Sequence, residues 1–391
     1  MRRRISIFFV VISLLSLVSY TFLSLSLLEG AAHRSLLMAV LVIPFALVWL
    51  MPMVYWEREE KPEETWERFF VWSSMLSMGL LSFLLTFTFL RDILFFSFNF
   101  FNPHLAILIK SRDANLGIFI LSLFSVAVGV YLALRGPIVK KVNLYFPGLS
   151  KDLEGIKIAQ ISDLHVGSIV RKRYVKDVVF KTNSLLPDFI CLTGDIFDGA
   201  VKHLKNEIQP LSNLKAKYAK YYITGNHEYY WGAEAWLDEV KTLGLTALLN
   251  THVEHRILSA KILFAGVVDF ASGSFFPDQK PDPEKAIEGS SLDSFKILLV
   301  HQPKMAELAQ SLGFNLQLSG HTHGGQFVPW TYVASWFHTH FTGLSRLKTL
   351  QVYVNPGTGF WGPPLRLGTT TEITLLTLTG SPQSRSSLNP K

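Results

Sequence analysis

A single cysteine, Cys191, stands in 391 residues; it permits no internal disulfide, excludes a disulfide scaffold and fits a reducing compartment. Charge is scarce too. Charged residues make up 17% of the chain against 49% hydrophobic, and the mean hydropathy is +0.28, too apolar for an ordinary soluble enzyme. Low hydrophobicity is what keeps a chain from collapsing, so the 30 Phe exclude disorder as the dominant state. Collagen and mucin compositions are excluded as well. The net charge of +7 gives no strong reason to expect nucleic acid, and the basic residues beside the hydrophobic runs read as membrane flanks.

The apolar excess lies almost entirely before residue 135, so residues 1–140 read as a transmembrane region. Residues 5–28, 35–55, 69–90 and 115–134 are free of charge and at or above the roughly 20 residues a helix needs to cross a bilayer. The first run is longer than the apolar stretch of a cleaved signal peptide, about 7–15 residues, and more spans follow. Residues 93–109 are also apolar, but Asn99, Asn102, Pro103 and His104 interrupt them, and the Asn-Pro pair breaks a helix. An interfacial or re-entrant segment is expected there; a fifth span would reverse the side on which the rest of the chain lies. Positive flanks stay in the cytoplasm. Arg2, Arg3 and Arg4 put the N-terminus inside, and four crossings return the chain inside, where Arg135, Lys140 and Lys141 follow the last span. Residues 56–68, with six Glu, read as a solvated connector.

Residues 145–379 have the composition of a globular α/β domain, and 380–391 carry too few apolar residues to pack, so a disordered tail is expected. IKIAQIS (156–162), DFICLTG (188–194), KYYITG (220–225), KILLVH (296–301) and NLQLSG (315–320) read as buried strands, alternating with segments of helical period. HRIL and KILFAGV, then QVYVN and EITLLTL, look like a second, partly antiparallel sheet. Polar groups stand immediately after the strands: Asp163 and His165, Asp195, Asn226 and His227, His301, His321 and His323. Strand C-terminal ends open onto a common crevice, so residues distant in sequence can converge there. If strand direction continues, Asp163 with His165, and His321 with His323, lie on one face.

Two carboxylates, one amide and four imidazoles are a mixed hard and borderline ligand set. It suits Mn, Fe, Zn or Co and is poor for Ca. Two ions about 3.5–4 Å apart need a bridging carboxylate, and Asp195, between the two halves of the set, is the candidate. Such ions would lower the pKa of a shared water and hold phosphate oxygens, leaving His227 for acid work at a leaving group.

The ordered blocks D-x-H, G-D, G-N-H-E, H and G-H-T-H resemble the calcineurin-like metallophosphoesterase family. SDLHVG, GNHEYYWG, GHTHGGQ and GTGFWGPPLRLG look like its bacterial branch, whose members often carry N-terminal membrane segments. The resemblance implies a four-layer α/β/β/α sandwich, here behind an N-terminal bundle of about four transmembrane helices. It also implies one metal on Asp163, His165, Asp195 and His323 and a second on Asp195, Asn226, His301 and His321, with His227 protonating the leaving oxygen.

The expectation is a membrane-anchored phosphohydrolase of the bacterial inner membrane with two divalent metals, its catalytic domain cytoplasmic. Metal-activated hydroxide would attack a phosphodiester or pyrophosphate, lipid-linked or nucleotide-linked. UDP-2,3-diacylglucosamine pyrophosphatase of lipid A synthesis is one concrete candidate; a non-catalytic metal-binding membrane sensor or scaffold is the rival. A nuclease is disfavoured, since no basic, aromatic-interleaved groove is evident, as is a transporter, since the spans contain no paired charges. Around the core set, Arg171, Lys172 and Arg173 could meet phosphate or lipid headgroups. His338 and His340 could line a rim, and Gly357, Thr358, Gly359 and Trp361 a cleft wall. The aromatic run 327–341 could meet lipid or an acyl chain. His203, His252 and His255 read as surface residues, and Cys191 as inert core.

Overall fold

The computed structural model describes residues 2–29, 31, 33–56 and 63–381; most of the expected tail lies outside them. The chain divides into a helical unit, Met1–Leu134 with Gly362–Leu367, and a globular unit made of the rest.

In the helical unit, α1 (Arg2–Leu27), α2 (Arg34–Trp56), α3 (Thr65–Phe101) and α5 (Arg112–Leu134) are long and apolar enough to cross a membrane, and α4 (Pro103–Ile109) is not. At 1.5 Å per residue its seven residues reach about 10 Å against a hydrocarbon core of about 30 Å. The span expected over 69–90 is part of the 37-residue α3, which continues through Arg91 and Asp92 because their polar groups are satisfied inside the unit. Arg91 donates from Nε (3.0 Å) and Nη2 (2.7 Å) to Asp92 Oδ1, and to the Ser26 carbonyl and Asn115 Oδ1. Ser26 Oγ donates to Asp92 Oδ2 at 3.0 Å. This paired charge lies directly beyond the span expected over 69–90. Sequence pattern places it at a span edge, whereas side-chain partners from α1 and α5 bury it in α3. The same bonds set the end of α1, the last third of α3 and the start of α5 at one level. The helix breaks at Asn102, whose Oδ1 caps α4 by accepting from Leu105 N at 3.2 Å, with Pro103 next.

The six residues GPPLRL (362–367), expected in the globular domain, belong to this unit. Leu365 and Arg366 are fully buried. Leu365 fills space left by two glycines: a Cβ on Gly79 would meet its Cδ1 at 2.4 Å and one on Gly129 its Cδ2 at 3.0 Å. Arg366 N donates to the Gly129 carbonyl at 3.0 Å. Small residues let a foreign backbone approach a helix this closely; six residues without periodicity carry no signal of it.

The globular unit holds β1 (Ile138–Tyr145), β2 (Lys157–Ile161), α6 (Lys172–Ser184), β3 (Phe189–Thr193), α7 (Val201–Ile208), β4 (Ala219–Ile223), α8 (Asn226–Tyr230) and α9 (Ala233–Thr242). There follow β5 (Thr246–Ala247), β6 (Thr251–Ile257), β7 (Ala260–Gly266), α10 (Ser272–Phe275), α11 (Pro283–Ala286), β8 (Phe295–Leu299), α12 (Ala306–Ser311), β9 (Leu316–Ser319), α13 (Trp330–Ser335), β10 (Gly343–Leu347), β11 (Leu350–Val354) and β12 (Glu372–Thr379). One six-stranded sheet runs β1-β12-β2-β3-β4-β5 and the other β10-β11-β9-β8-β7-β6. Between them Ile158, Phe189, Cys191 and Tyr221 meet Ile262, Phe264, Ile297 and Leu316. On the outer face of the second sheet, Leu263, Leu298 and Val352 pack with Ala306 and Ala309 of α12. On the outer face of the first, Phe197 stacks on Trp236 of α9, centroids 3.8 Å apart. Strands buried on both faces read as unbroken apolar runs, and the result is the α/β/β/α sandwich.

Strand grouping differs from expectation. EITLLTL is β12 and sits in the first sheet, antiparallel to β2 and parallel to β1, whereas KILLVH and NLQLSG, as β8 and β9, lie in the second. Composition marks a strand but not its neighbour; crossovers decide that.

Candidate metal centre

Six of the seven expected ligands, Asp163, His165, Asp195, His301, His321 and His323, come together beyond the C-terminal ends of β2, β3, β8 and β9, and Asn226 follows β4 at the start of α8. Three overlapping groups have ligand atoms within 4.8 Å of one another: Asp163, His165 and His323; Asp195, His301 and His321; and His165, Asp195 and His227. Asp195 shares the last two. The convergence is not the strand alternation expected of D-x-H and H-T-H. β2 stops at Ile161 and β9 at Ser319. Asp163, His165, Asp195, His321 and His323 all take positive φ, between 50° and 73°, in the left-handed region that costs non-glycine residues energy. Turned backbone, not pleat, aims these side chains.

Glycine supplies the clearance. A Cβ at Gly225 would lie 2.2 Å from Asp195 Oδ1, and one at Gly320 2.1 Å from Asp163 Oδ2. Asp163 accepts His321 N on both oxygens, 2.9 and 3.1 Å, so one ligand positions another across 158 residues. His301 Nδ1 faces the Thr193 carbonyl at 2.8 Å, which turns Nε2 toward Asp195 Oδ2, 3.1 Å away. His165 and His323 bring their Nε2 atoms to 3.1 Å.

Burial pushes Asp163 up to about 6. Burial, with cationic neighbours, takes His165 and His321 down to about 3, the neutral form that ligates metals. Asp195 is held well below the carboxylate range: burial opposes its charge, but His301 and His227 outweigh it. His165 Nδ1 and Asn226 Oδ1 are buried without hydrogen-bond partners. Orphaned buried acceptors beside clustered carboxylates and imidazoles fit a pair of divalent cations.

His227 is oriented by a residue that sequence patterning does not single out. Asp198 Oδ1 lies 2.9 Å from its Nδ1 and also accepts Trp231 Nε1 at 3.0 Å. Burial works against the imidazolium, but Asp195 and Asp198 prevail and push His227 up to about 9. A second such residue is Glu228. Its Oε2 accepts the N–H of Asp195 (3.0 Å) and Gly225 (2.6 Å), its Oε1 those of Ile196 (2.7 Å) and Phe197 (3.2 Å). It ties the Asp195 loop to the Asn226 loop. The E of G-N-H-E is the one available signal; nothing marks it as a clamp rather than a surface acid.

The outer candidates separate. Arg171 pairs with Glu207 at 3.0 Å, and the same carboxylate accepts Lys172 N, so the basic start of α6 is tied to α7. His338 is near enough to His321 to lower its basicity further, whereas His340 Nδ1 faces Ser345 Oγ at 2.7 Å. Thr358 N and Gly359 N donate to the carbonyls of Ser162 and Asp163, so this segment braces the first ligand loop. Trp361 reaches His227, ring centroids 5.4 Å apart. His252 and His255 are not plain surface residues: His252 Nδ1 faces the Ala286 carbonyl at 2.7 Å, and His255 contacts the Tyr221 hydroxyl. Cys191 is fully buried.

A double sheet carrying carboxylates and imidazoles on its strand ends is the frame of a metal-dependent phosphoesterase. The calcineurin-like phosphoesterase pattern matches residues 156–325. A transmembrane protein with metallophosphoesterase domain from Danio rerio is 34% identical over 68% of this chain and 63% of its own length. An uncharacterized metallophosphoesterase of Campylobacter jejuni is 35% identical over 68% of this chain and 70% of its own. The match thus spans less than two thirds of the zebrafish relative. Among solved structures, the calcineurin-like phosphoesterase YfkN from Bacillus subtilis aligns with 52% of this chain and 82% of its own at 15% identity, with a TM-score of 0.36. The chain belongs to the calcineurin-like metallophosphoesterase family, and it is a membrane protein by its four candidate spans.

Proposed function

We propose that this protein is a membrane-anchored phosphohydrolase whose two divalent cations are held by Asp163, His165, Asp195, Asn226, His301, His321 and His323. The observation that carries the reading is the overlap of three candidate ligand groups, joined to one another through His165 and Asp195. When bound, the cations would polarise the phosphoryl oxygens and make water a better nucleophile. The chain's own work lies in proton handling and alignment. His227 holds a proton at Nε2 while Asp198 occupies Nδ1. That proton passes to the leaving oxygen as the P–O bond breaks and the oxygen of water joins phosphorus. The left-handed turns and the Glu228 clamp hold the carboxylates at fixed spacing without help from substrate.

The domain would lie on the cytoplasmic face of a bacterial inner membrane: four crossings keep Arg2–Arg4 and Arg135, Lys140 and Lys141 on one side. Exposed Trp330, Tyr332, Trp336 and Phe337 on and beside α13 support a substrate with an apolar portion. The test is hydrolysis of bis(4-nitrophenyl) phosphate by detergent-solubilised protein with added Mn. Asp195→Asn should lose more than the roughly 10–100-fold that removal of an outer partner of a metal ligand costs; an unchanged rate refutes the site. A metal-binding sensor would show no turnover in either form. A panel of lipid phosphodiesters and UDP-linked sugars, including UDP-2,3-diacylglucosamine, then identifies the natural bond.

A further inference from the structure

The side of the site where a leaving group must depart is walled by aromatic rings. His227 is enclosed, 8% exposed, with Nδ1 on Asp198; only its Nε2 edge is available to a leaving oxygen. Trp361 stands on one flank, centroids 5.4 Å apart and planes at 70°, and Tyr230 on another, 5.3 Å and 62°. Phe275 extends the Tyr230 side at 6.1 Å. These rings are not core: Trp361 is 44% exposed, Tyr230 54% and Phe275 48%.

Nor is Trp361 loose. The Gln326 side chain clamps its backbone from both sides, Oε1 accepting the Trp361 N–H at 3.0 Å and Nε2 donating to its carbonyl at 2.9 Å. Gln326 is itself buried and held at φ +60°. Tyr230 leads out of α8, the short helix that begins with Asn226, and its phenol interacts with the Asn226 side chain. Tyr230 is thus fixed to Asn226, and Trp361 to Gln326, whose own N–H donates to the His323 carbonyl at 3.0 Å, yet both rings keep about half their surface open. An apolar ring held open on a rigid mount costs little ordering entropy when a ligand covers it.

We infer that Trp361 and Tyr230 form a clamp for the leaving group, and that the preferred substrate is a phosphodiester whose leaving alcohol carries an uncharged ring. The inference rests on His227 being the acid of the reading above, since a group bonded to the oxygen that His227 protonates must emerge between its two flanking rings. Ring faces are electron-rich. They attract C–H edges and flat π-systems, and they offer nothing to the charged phosphate that departs when a pyrophosphate is cleaved. The clamp therefore selects ester over anhydride.

The test uses full-length, Mn-loaded, detergent-solubilised protein and three non-hydrolysable monoanions of equal charge: benzyl(methyl)phosphinate, (cyclohexylmethyl)(methyl)phosphinate and ethyl(methyl)phosphinate. Binding is read directly by titration calorimetry. The ring-bearing probes should bind on the order of tenfold more tightly than the ethyl one. Trp361→Ala or Tyr230→Ala should erase most of that preference, read as the ratio of ring-bearing to ethyl affinities within each variant. A benzyl preference over cyclohexylmethyl indicates stacking, and equality indicates contact with any ring face; either supports the clamp. Equal affinity for all three probes in the wild type, or a preference that survives both substitutions, overturns it. A folded melting profile for each variant, half-exposed as these rings are, ensures that loss of preference is not loss of fold. Binding of all three without discrimination, with bis(4-nitrophenyl) phosphate still hydrolysed, defeats the clamp alone. No hydrolysis and no binding defeats the site reading beneath it.

Discussion

Replacing Glu228 with Gln keeps size and shape and removes one acceptor oxygen. In the native protein each carboxylate oxygen serves two buried N–H groups, so whichever way the amide turns, its NH2 faces two donors. A hydrogen bond to a charged acceptor is worth about 1.5–3 kcal/mol, and a buried donor left unsatisfied costs about 1–3 kcal/mol. With two bonds lost and strict additivity failing for neighbours, the expected cost is roughly 3–5 kcal/mol, a large part of the typical 5–15 kcal/mol stability of a domain. For a domain of this size that corresponds to a fall in Tm of about 6–20 °C. Burial and the Asp195 charge push Glu228 up to about 7, yet four N–H groups converging on it are arranged for the ionised form, which Gln cannot supply. The N–H groups it holds flank Asp195 and Asn226, so metal retention should fall with stability. Differential scanning calorimetry of the solubilised protein, with bound Mn counted by elemental analysis, checks both. A Tm within about 2 °C of wild type together with full metal content would falsify the view that Glu228 fixes the two ligand loops.

Asp198→Asn should lower turnover on the order of 10²-fold for an alkyl leaving group, which needs a proton, and far less for 4-nitrophenolate, which does not; equal losses on both would remove His227 from the acid role. Asp92→Ala leaves the buried Arg91 guanidinium without its charge partner, an event that costs about 3–5 kcal/mol; denaturant titration in micelles should show it, and an unchanged midpoint contradicts the buried pair. Leu365→Ala empties the space over Gly79 and Gly129 and should destabilise the helical unit by about 2–5 kcal/mol, against no effect if the segment merely rests on the surface. Burial pushes the Cys191 thiol far up, so the native protein should resist iodoacetamide at pH 8 and react stoichiometrically in guanidinium; rapid native labelling contradicts the packing between the sheets.

The candidate ligand types and their order were legible in the chain because the proposed chemistry needs those residue types directly after buried strands, and buried strands are visible as apolar runs. The four long helices were legible for a like reason, since bilayer thickness sets a minimum apolar length. What the sequence could not settle depends on partners brought together from far away. Arg91 and Asp92 look like the end of a span until Ser26 and Asn115 satisfy them. Asp198 and Glu228 look like surface acids until the fold aims them at His227 and at four backbone amides. EITLLTL reads as a strand of either sheet until crossovers place it beside β2. The same holds for GPPLRL, whose membership in the helical unit follows from two glycines nearly 300 and more than 230 residues earlier. Local pattern is decided within a few residues by propensity and burial; the remainder is decided by which distant groups satisfy one another, and only the folded chain contains that information.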